Sequence, residues 1–299
     1  MKYFLTVDIG GTTFNSGLFN ESLEKIEITQ KDKIRYYNGK EEVVSAIINQ
    51  VLTLINNNNL NHNDIIALGI ATPGPLDIQR GIILDTVNLK IFQNYNISED
   101  FKGKLNINTY IQNDANLFAY GEWYENYKDL NNFIGITIGT GFGLGFISNG
   151  NIFLGAHGMA MEYGLSPFKW GRCEDNISIR YIRELSKKVY AEELSPRIIE
   201  KKYYKNDTKA ISIYNDFGRN LGLALSHIIN LIDPHVISIG GGLSNAFECF
   251  EKEMLIAIRE NSPSYSYNKI KIYPSSTKEV STMIGACLYA NTRNKENID

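Results

Sequence analysis

Apolar and polar stretches alternate along the first third of the chain in an order that predicts strands and a helix. Short apolar runs at 3–7 and 65–71 are typical of buried strands, because glycine or proline follows each run closely. A further strand is predicted at 13–19. Residues 41–55 place their apolar side chains on one helical face. Two strands, a helix and a strand in this order favour an α/β domain.

The same order of signals begins again near the middle of the chain. Residues 133–138 form an apolar run that ends at a glycine turn, and a second strand is predicted to end at Ile147. The Asn149-Gly150 pair that follows is typical of a tight hairpin turn. Both halves are therefore expected to share one layout, although this short match leaves an internal duplication open.

The rest of the chain is predicted to be mainly helical. Long helical stretches are expected at 176–200 and 208–231, and a strand at 235–239 follows Asp233-Pro234. The last helix is expected at 280–290, followed by a polar, frayed tail.

Two domains are expected from the length and from these patterns. At about 100–200 residues per domain, a chain of 299 residues favours two domains over one. The boundary is expected near 114–118. We predict a smaller N-terminal α/β domain over 1–117, completed by segment 280–299, and a larger C-terminal α/β domain over 118–279.

Composition excludes several classes of protein. Hydrophobic residues make up 43 % of the chain and charged residues 21 %, as in globular rather than disordered proteins. With 30 Lys and Arg against 33 Asp and Glu, the net charge of −3 argues against a nucleic-acid partner bound through a broad cationic surface. No apolar run is long enough to span a membrane, so no membrane contact is expected. The first apolar run is short and is interrupted by Asp8, so no signal peptide is expected either.

The cysteines indicate a reducing compartment. The chain has an odd number of cysteines at wide spacing, Cys173, Cys249 and Cys287, and this pattern does not fit a disulfide framework. We therefore expect a cytoplasmic protein.

Three glycine-rich turns follow predicted strands. They are Gly10-Gly11-Thr12-Thr13, Gly139-Thr140-Gly141-Phe142-Gly143 and Gly240-Gly241-Gly242-Leu243-Ser244. Glycine lets backbone N–H groups approach an anion closely, and successive N–H groups suit a phosphate. Each turn alone could simply be tight, and none matches a Walker A loop or the dinucleotide fingerprint. Three turns at matching positions favour nucleotide binding.

Asp8 stands at the end of the first predicted strand, beside the first glycine turn. Its carboxylate could orient a Mg²⁺ ion through water while the ion bridges phosphate oxygens. The alternative is an Asp that only caps the turn.

Asn113 and Asp114 lie where a predicted strand passes into a helix. Both residue types are common at helix starts, so a structural cap is one interpretation. A kinase, however, needs a carboxylate that accepts the proton of the attacking hydroxyl. Asp114 suits the role of that base, and Asn113 can hold the alcohol because its amide both donates and accepts hydrogen bonds.

Five segments in order resemble the ROK family of bacterial sugar kinases and related repressors. They are Asp8-Ile9-Gly10-Gly11-Thr12, Ala71-Thr72-Pro73-Gly74-Pro75-Leu76-Asp77, Asn113-Asp114-Ala115-Asn116, Thr137-Ile138-Gly139-Thr140-Gly141 and Ile239-Gly240-Gly241-Gly242-Leu243-Ser244. The resemblance covers nearly the full length of the chain. It implies the actin/hexokinase-like ATPase fold, with two α/β domains and a cleft between them.

The resemblance also implies roles for single residues. Asp114 takes the general-base position, and the backbone at Gly74 lines the sugar pocket. Glu162 matches a family carboxylate that binds sugar hydroxyls. The glycine segments match the family's phosphate and adenosine motifs, which implies ATP and Mg²⁺ as cofactors, with Asp8 near the ion. Because family members are commonly dimers, a homodimer is expected.

The chain departs from the family pattern after Glu162. Leu165 stands where the family usually has a zinc-binding His, and only Cys173 is present where the family has three cysteines. One thiol cannot complete a four-ligand structural zinc site, and His157 is interpreted as a loop residue. The resemblance therefore predicts a variant without zinc.

The expected reaction is phosphoryl transfer from ATP to a hexose. A glucose-type sugar phosphorylated at O6 is the first expectation. N-acetylmannosamine, or another N-acetylhexosamine, is the alternative, because zinc-free members of the family act on more than one sugar. Asn88 is a further candidate sugar contact, although an exposed loop residue is the ordinary interpretation.

Two other functions compete with a kinase. ROK repressors carry a DNA-binding domain before the first phosphate motif, and only seven residues precede Asp8 here, which disfavours a regulator. A sugar-binding protein without activity is disfavoured because Asp8, Asn113, Asp114 and Glu162 occur together.

Overall fold

The computed structural model describes residues 1–86, 89–277 and 280–296. The fold separates into two units. The first comprises Met1–Asn126, Ile152–Ala160 and Glu279–Asp299, and the second comprises Tyr127–Asn151 and Met161–Lys278.

Strands and helices are distributed over both units. The strands are β1 (Tyr3–Ile9), β2 (Thr13–Asn20), β3 (Lys25–Ile28), β4 (Asp32–Lys33), β5 (Ile65–Thr72), β6 (Leu76–Asp77), β7 (Ile82–Ile83), β8 (Tyr95–Asn96), β9 (Thr109–Asn113), β10 (Asn132–Ile138), β11 (Phe142–Ser148), β12 (Asn151–Ile152), β13 (Val236–Gly240) and β14 (Lys271–Pro274). The helices are α1 (Lys40–Asn57), α2 (Ile97–Leu105), α3 (Asp114–Glu122), α4 (Ile179–Tyr190), α5 (Pro196–Tyr203), α6 (Thr208–Ile232), α7 (Phe247–Asn261), α8 (Pro263–Asn268) and α9 (Ser281–Glu296).

The two main sheets have the same internal layout. The strand order is β3-β2-β1-β5-β9 in one sheet and β12-β11-β10-β13-β14 in the other. In each, the first pair of long strands is antiparallel and the next two pairings are parallel. The expectation of one layout for both halves is therefore confirmed.

Helices cover both faces of the first unit's sheet. Leu5, Val7 and Ile9 of β1 pack with the apolar face of α1, whose side chains recur at helical spacing. Phe4, on the opposite face of β1, packs with α9. Burial of apolar side chains on both faces stabilises this layered arrangement.

Two glycines let α3 and α9 approach closely. A Cβ atom at Gly121 would lie 1.8 Å from the carbonyl oxygen of Ser281, and one at Gly285 would lie 1.9 Å from that of Leu117. Any larger side chain at either position would push the helices apart. The placement of α3 therefore depends on α9.

The longest helix, α6, lies in the core of the second unit. It begins where the Asp207 carboxylate accepts hydrogen bonds from the N–H groups of Lys209 and Ala210, at 2.9 and 3.3 Å. It ends at Asp233, in the left-handed conformation before Pro234. These bounds agree with the helix predicted at 208–231.

The helical stretch predicted at 176–200 is divided between two helices, α4 and α5. Ala191 adopts a left-handed conformation with φ of 60° and ends the first. Pro196, at the first position of α5, lacks the N–H group that a continuous helix would need.

The last helix is longer than predicted. It continues through Glu296 and so includes the first residues of the polar tail that was expected to fray. Over the residues that the structure describes, no helix is both long enough and apolar enough to cross a bilayer.

Candidate active site

The carboxyl ends of three parallel strands lie at one edge of the first unit's sheet. Asp8 of β1 is in register with Ala71 of β5, and Thr72 of β5 is in register with Asn113 of β9. Because parallel strands run in one direction, their ends meet at the same edge. The predicted site residues at this edge are Asp8, Gly10, Gly11, Thr12, Gly74, Asn113 and Asp114.

Asp8 also lies on the face of the sheet where α3 packs. Successive side chains alternate between faces, so Asp8 lies opposite Val7 and Ile9. Its register partner Ala71 packs against Leu117 of α3. The sheet therefore directs Asp8 to the side on which α3 begins at Asp114.

Asn113 caps α3. Its Oδ1 accepts hydrogen bonds from the N–H groups of Ala115 and Asn116, at 2.9 and 3.3 Å. The structural interpretation of this residue is thus correct for its oxygen, which satisfies the first turn of the helix. Its amide nitrogen is the atom with which it can donate to a ligand.

Asp114 is the first residue of α3 and is partly buried. Burial raises the pKa of its carboxyl group, while hydrogen bonds from the N–H groups of Ala115 and of Asp114 itself act in the opposite direction. The bond from Ala115 to Oδ1 measures 2.9 Å. A carboxylate with a raised pKa is better suited to accept a proton near neutral pH than an ordinary one.

The turn at Gly10, Gly11 and Thr12 joins two antiparallel strands. The Gly10 N–H donates to the carbonyl of Thr13 at 2.8 Å, and the carbonyl of Thr12 accepts from the N–H of Ile34 at 3.0 Å. Gly11 and Thr12 are exposed at the tip. The tip is accessible to a ligand at the sheet edge that carries Asp8.

Two further glycine turns lie together at one edge of the second unit's sheet. β10 and β13 are parallel, and Thr137 is in register with Gly240. The turn at Gly139, Thr140 and Gly141 follows β10, and Gly240, Gly241 and Gly242 end and follow β13. The structure thus brings these two predicted nucleotide segments to the same edge.

Within these turns, Gly241 and Gly139 have different physical roles. Gly241 has φ of 80°, and a Cβ atom there would lie 2.6 Å from the carbonyl oxygen of Ile138. The same carbonyl accepts the N–H of Leu243 at 3.2 Å. A Cβ at Gly139 would meet no atom within 4 Å. Gly241 is therefore required by the fold, whereas Gly139 borders open space.

Sequence reasoning missed Arg180, which contacts the second glycine turn. Its Nε donates to the carbonyl of Thr140 at 3.0 Å, and its Nη2 lies 3.1 Å from Oε1 of Glu174. The side chain is 46 % exposed, and its Nη2 also lies 3.6 Å from Oδ1 of Asp175, so two carboxylates share its charge. Forty positions separate Arg180 from Thr140, and no pattern in the sequence links them.

Glu162 is exposed in the second unit, just before a short 3₁₀ turn. The N–H of Leu165 donates to the carbonyl of Glu162 at 3.1 Å and closes that turn. Asn88, the other side chain predicted to contact sugar, lies outside the described residues.

The pattern of the whole chain agrees with one known family. Residues 4–293 match the ROK family. The chain belongs to the ROK family. Its nearly complete coverage agrees with the resemblance seen in the five short segments.

A curated relative with substantial similarity to this ROK chain is the N-acetyl-D-glucosamine kinase of Haemophilus influenzae (strain 86-028NP). The two are 31 % identical over 263 residues, which cover 80 % of this chain and 84 % of the relative. Further relatives at 28–30 % identity carry the same description.

Solved structures confirm the predicted actin/hexokinase-like α/β fold of this ROK chain. A ROK family glucokinase from Streptomyces griseus, in complex with glucose and AMPPNP, is 20 % identical with a TM-score of 0.82, covering 97 % of this chain and 99 % of that one. A ROK family transcriptional regulator, a homologue of the E. coli MLC protein, is 23 % identical with a TM-score of 0.85 and covers 98 % and 78 %. These similarities show the fold alone, which kinases and regulators share.

The segment that departs from the ROK pattern contains few side chains of the types that bind zinc. Leu165 is exposed, His157 is exposed in the first unit, and Cys173 is buried in the second. Burial raises the pKa of the Cys173 thiol to about 12, which disfavours the thiolate that a metal requires. Among the described residues, no three His, Cys, Asp or Glu side chains form a group that could hold a metal ion.

Proposed function

We propose that this ROK protein transfers the γ-phosphoryl group of ATP to a hydroxyl of a hexose or N-acetylhexosamine, with Asp114 as the general base. That it is an ATP-dependent sugar kinase follows from its family and from its curated relatives. The observation that supports the assignment of the base is the position of Asp114. It begins α3 at the sheet edge shared with Asp8, and burial raises its pKa.

In the proposed step, a sugar hydroxyl, expected to be O6, attacks the γ-phosphorus in line with the leaving ADP oxygen. A new P–O bond forms as the bond to the β-phosphate oxygen breaks, and Asp114 takes the hydroxyl proton. Asn113 would donate its amide N–H to the sugar and hold it beside Asp114. Such catalysis consists mainly of positioning and of stabilising charge.

The nucleotide is proposed to contact the glycine turns. N–H groups at Gly11 and Thr12 and at Thr140 and Gly141 would bind phosphate oxygens, while those of Gly10 and Gly139 close their own turns. The turn at Gly240–Gly242 would contact the adenosine. Arg180 contacts the second glycine turn at Thr140, but a phosphate there would compete for its guanidinium with the carboxylates of Glu174 and Asp175, at 3.1 and 3.6 Å.

Magnesium fits the donor set of the first unit. Mg²⁺ is usually held by one or two carboxylates together with substrate phosphates and water, so it needs no cluster of protein ligands. Asp8, a partly buried carboxylate beside the first glycine turn, would hold it through water. When bound, the ion neutralises charge on the phosphate oxygens.

The sugar is proposed to be N-acetyl-D-glucosamine first and glucose second. The curated relatives favour the acetylated sugar, whereas the sequence resemblance alone favoured glucose. N-acetylmannosamine remains the third member of the test panel. Glu162 is proposed to bind the sugar hydroxyls. The protein is also proposed to assemble as a homodimer, and light scattering would measure its molar mass in solution.

The test is a coupled assay of ADP release with each sugar and Mg-ATP. We expect the highest kcat/KM with N-acetyl-D-glucosamine, and the position of the phosphate in the product can be read by NMR. Absence of sugar-dependent ADP release across the panel would contradict the kinase. Specific binding of genomic DNA fragments without kinase activity would instead favour the regulator that shares this fold.

A further inference from the structure

Tyr163 and His227 are joined by a hydrogen bond in the second unit. The phenol oxygen of Tyr163 lies 2.7 Å from Nδ1 of His227. Tyr163 follows Glu162 directly, whereas His227 is a residue of α6. Whichever atom carries the shared proton, the bond attaches the backbone next to Glu162 to the longest helix of the unit.

The His227 ring also contacts a second residue of the same segment. Its centroid lies 6.4 Å from that of Tyr163 and 6.2 Å from that of Phe168, both in edge arrangements. Phe168 is buried in the core of the unit. One imidazole therefore touches both ends of the segment from Tyr163 to Phe168.

The other side of this segment rests on β11. A Cβ atom at Gly164 would lie 2.3 Å from the carbonyl oxygen of Phe142, so the two backbones are in close contact. The rings of Phe142 and Tyr163 also meet edge to face, with centroids 6.4 Å apart. The backbone around Glu162 is thus bounded by β11 on one side and by α6 on the other.

We propose that His227 is a positioning residue for sugar binding, which acts through Tyr163 to fix the backbone that presents Glu162. The inference rests on the proposed function, because the sugar contact of Glu162 is part of that function. His227 itself need not touch the sugar. Its contribution is to remove the freedom of the segment before the sugar arrives, which lowers the entropic cost of binding.

A role in overall stability alone is disfavoured by exposure. His227 lies on the exposed side of α6, and Tyr163 is only partly buried. Most of the α6 residues that hold the helix in the core are apolar and fully buried, and they remain when His227 is changed. Loss of the hydrogen bond should therefore alter the segment more than the fold.

The variants for the test remove the bond from either side. Tyr163→Phe deletes only the hydroxyl, and His227→Phe keeps a ring but loses Nδ1. His227→Asn restores a polar atom near the position of Nδ1. Tyr204→Phe is the matched control, because it deletes a phenol that donates to Glu248 at 3.1 Å elsewhere in the same unit.

Kinetics with the preferred sugar give the first measurement. We expect Tyr163→Phe and His227→Phe each to raise the sugar KM about three- to tenfold, the range of one hydrogen bond, with the KM for ATP unchanged. The double variant should be no worse than either single variant, and His227→Asn should lie closer to the wild type. Tyr204→Phe should leave the sugar KM unchanged.

Hydrogen exchange gives a second measurement that does not depend on activity. The backbone N–H groups of 162–166 and of Phe168 should exchange faster in Tyr163→Phe and His227→Phe than in the wild type. Unchanged exchange, or an unchanged sugar KM in an active enzyme, would overturn the positioning role. If the wild type turns over no sugar, or if Glu162→Gln leaves the sugar KM unaltered, the proposed function of the site fails instead, whatever the exchange result.

Discussion

Oγ of Ser281, the first residue of α9, donates a hydrogen bond of 2.6 Å to Oε1 of Glu122, the last residue of α3. Both residues are buried. The carboxylate lies at the start of α9, where the N–H groups of a helix's first turn favour negative charge. The bond fixes the far end of the helix that begins with Asp114.

Removal of this hydroxyl should destabilise the protein. Ser281→Ala leaves the buried carboxylate with one donor fewer, so we expect a loss of about 1–3 kcal/mol in the free energy of unfolding, measured by urea denaturation. Ser45→Ala is the control, because Oγ of Ser45 donates to the Glu41 carbonyl on an exposed helical face. The control should change stability by less than about 0.5 kcal/mol. Equal losses in both variants would contradict a special role for the Ser281 bond.

Asp114→Asn should abolish most of the turnover while the sugar still binds. The amide keeps the shape of the side chain but cannot accept the hydroxyl proton. A general base contributes about 10²–10⁴-fold, so kcat should fall by that factor with a sugar KM within about threefold of the wild type. Steady-state kinetics measure both. Near-normal kcat would remove Asp114 from the role of base.

The same substitution should stabilise the fold at neutral and alkaline pH. Because the pKa of Asp114 is raised in the folded state, the folded protein holds this proton more tightly than the unfolded chain. Stability from this group is therefore fully present below the ordinary Asp pKa and is lost as pH rises through the raised value. We expect Asp114→Asn to have the higher Tm at pH 8, and this advantage to disappear at the acid end of the range. A Tm difference that does not change with pH would contradict the shift.

Substitutions at Gly241 and at Gly139 should affect different properties, namely folding stability for Gly241 and nucleotide binding for Gly139. Gly241→Ala places a Cβ against the Ile138 backbone at φ of 80°, so we expect a loss of about 1–3 kcal/mol in stability. Gly139→Ala should keep the Tm, because its Cβ would enter open space, but it should raise the KM for ATP where phosphate is proposed to bind. Thermal unfolding and ATP kinetics on both variants test this. A Gly139→Ala variant with an unchanged KM for ATP would remove that turn from the phosphate site.

Zinc is predicted to be absent from the purified protein. Leu165 supplies no ligand atom, and the buried thiol of Cys173 favours its protonated form. Elemental analysis should find far less than one zinc per chain, and a zinc chelator that spares magnesium should leave kcat unchanged. One bound zinc per chain would overturn this prediction.

Local signals in the sequence predicted the parts of the fold that depend on neighbouring residues. Asn149 and Gly150 adopt φ of 49° and 78°, as the hairpin turn requires, and α6 matches the helical stretch predicted at 208–231. The break at Ala191 was missed because an Ala in the left-handed conformation leaves no signal in composition. The backbone there follows the packing of α4 and α5 rather than the preference of the residue.

The candidate site was predictable only in part, because local sequence patterns do not reveal contacts between distant residues. Motifs at strand ends predicted Asp8 and Asp114 as site residues, and the parallel strands bring both to one edge of the sheet. Arg180 and His227 contact residues forty and sixty-four positions away. Such contacts arise when helices pack in the folded chain, so a pattern of adjacent residues cannot reveal them.

The anchoring of α3 by Ser281 also has a consequence for the order in which the protein matures on the ribosome. Synthesis adds α9 after every strand of both sheets, so the helix that starts with Asp114 lacks its distal support while the chain is still growing. In a nascent chain that has not yet emerged past Ser281, the position of the Asp114 carboxylate would be poorly fixed. Competence for chemistry should therefore be acquired only once α9 has been synthesised and has docked on α3.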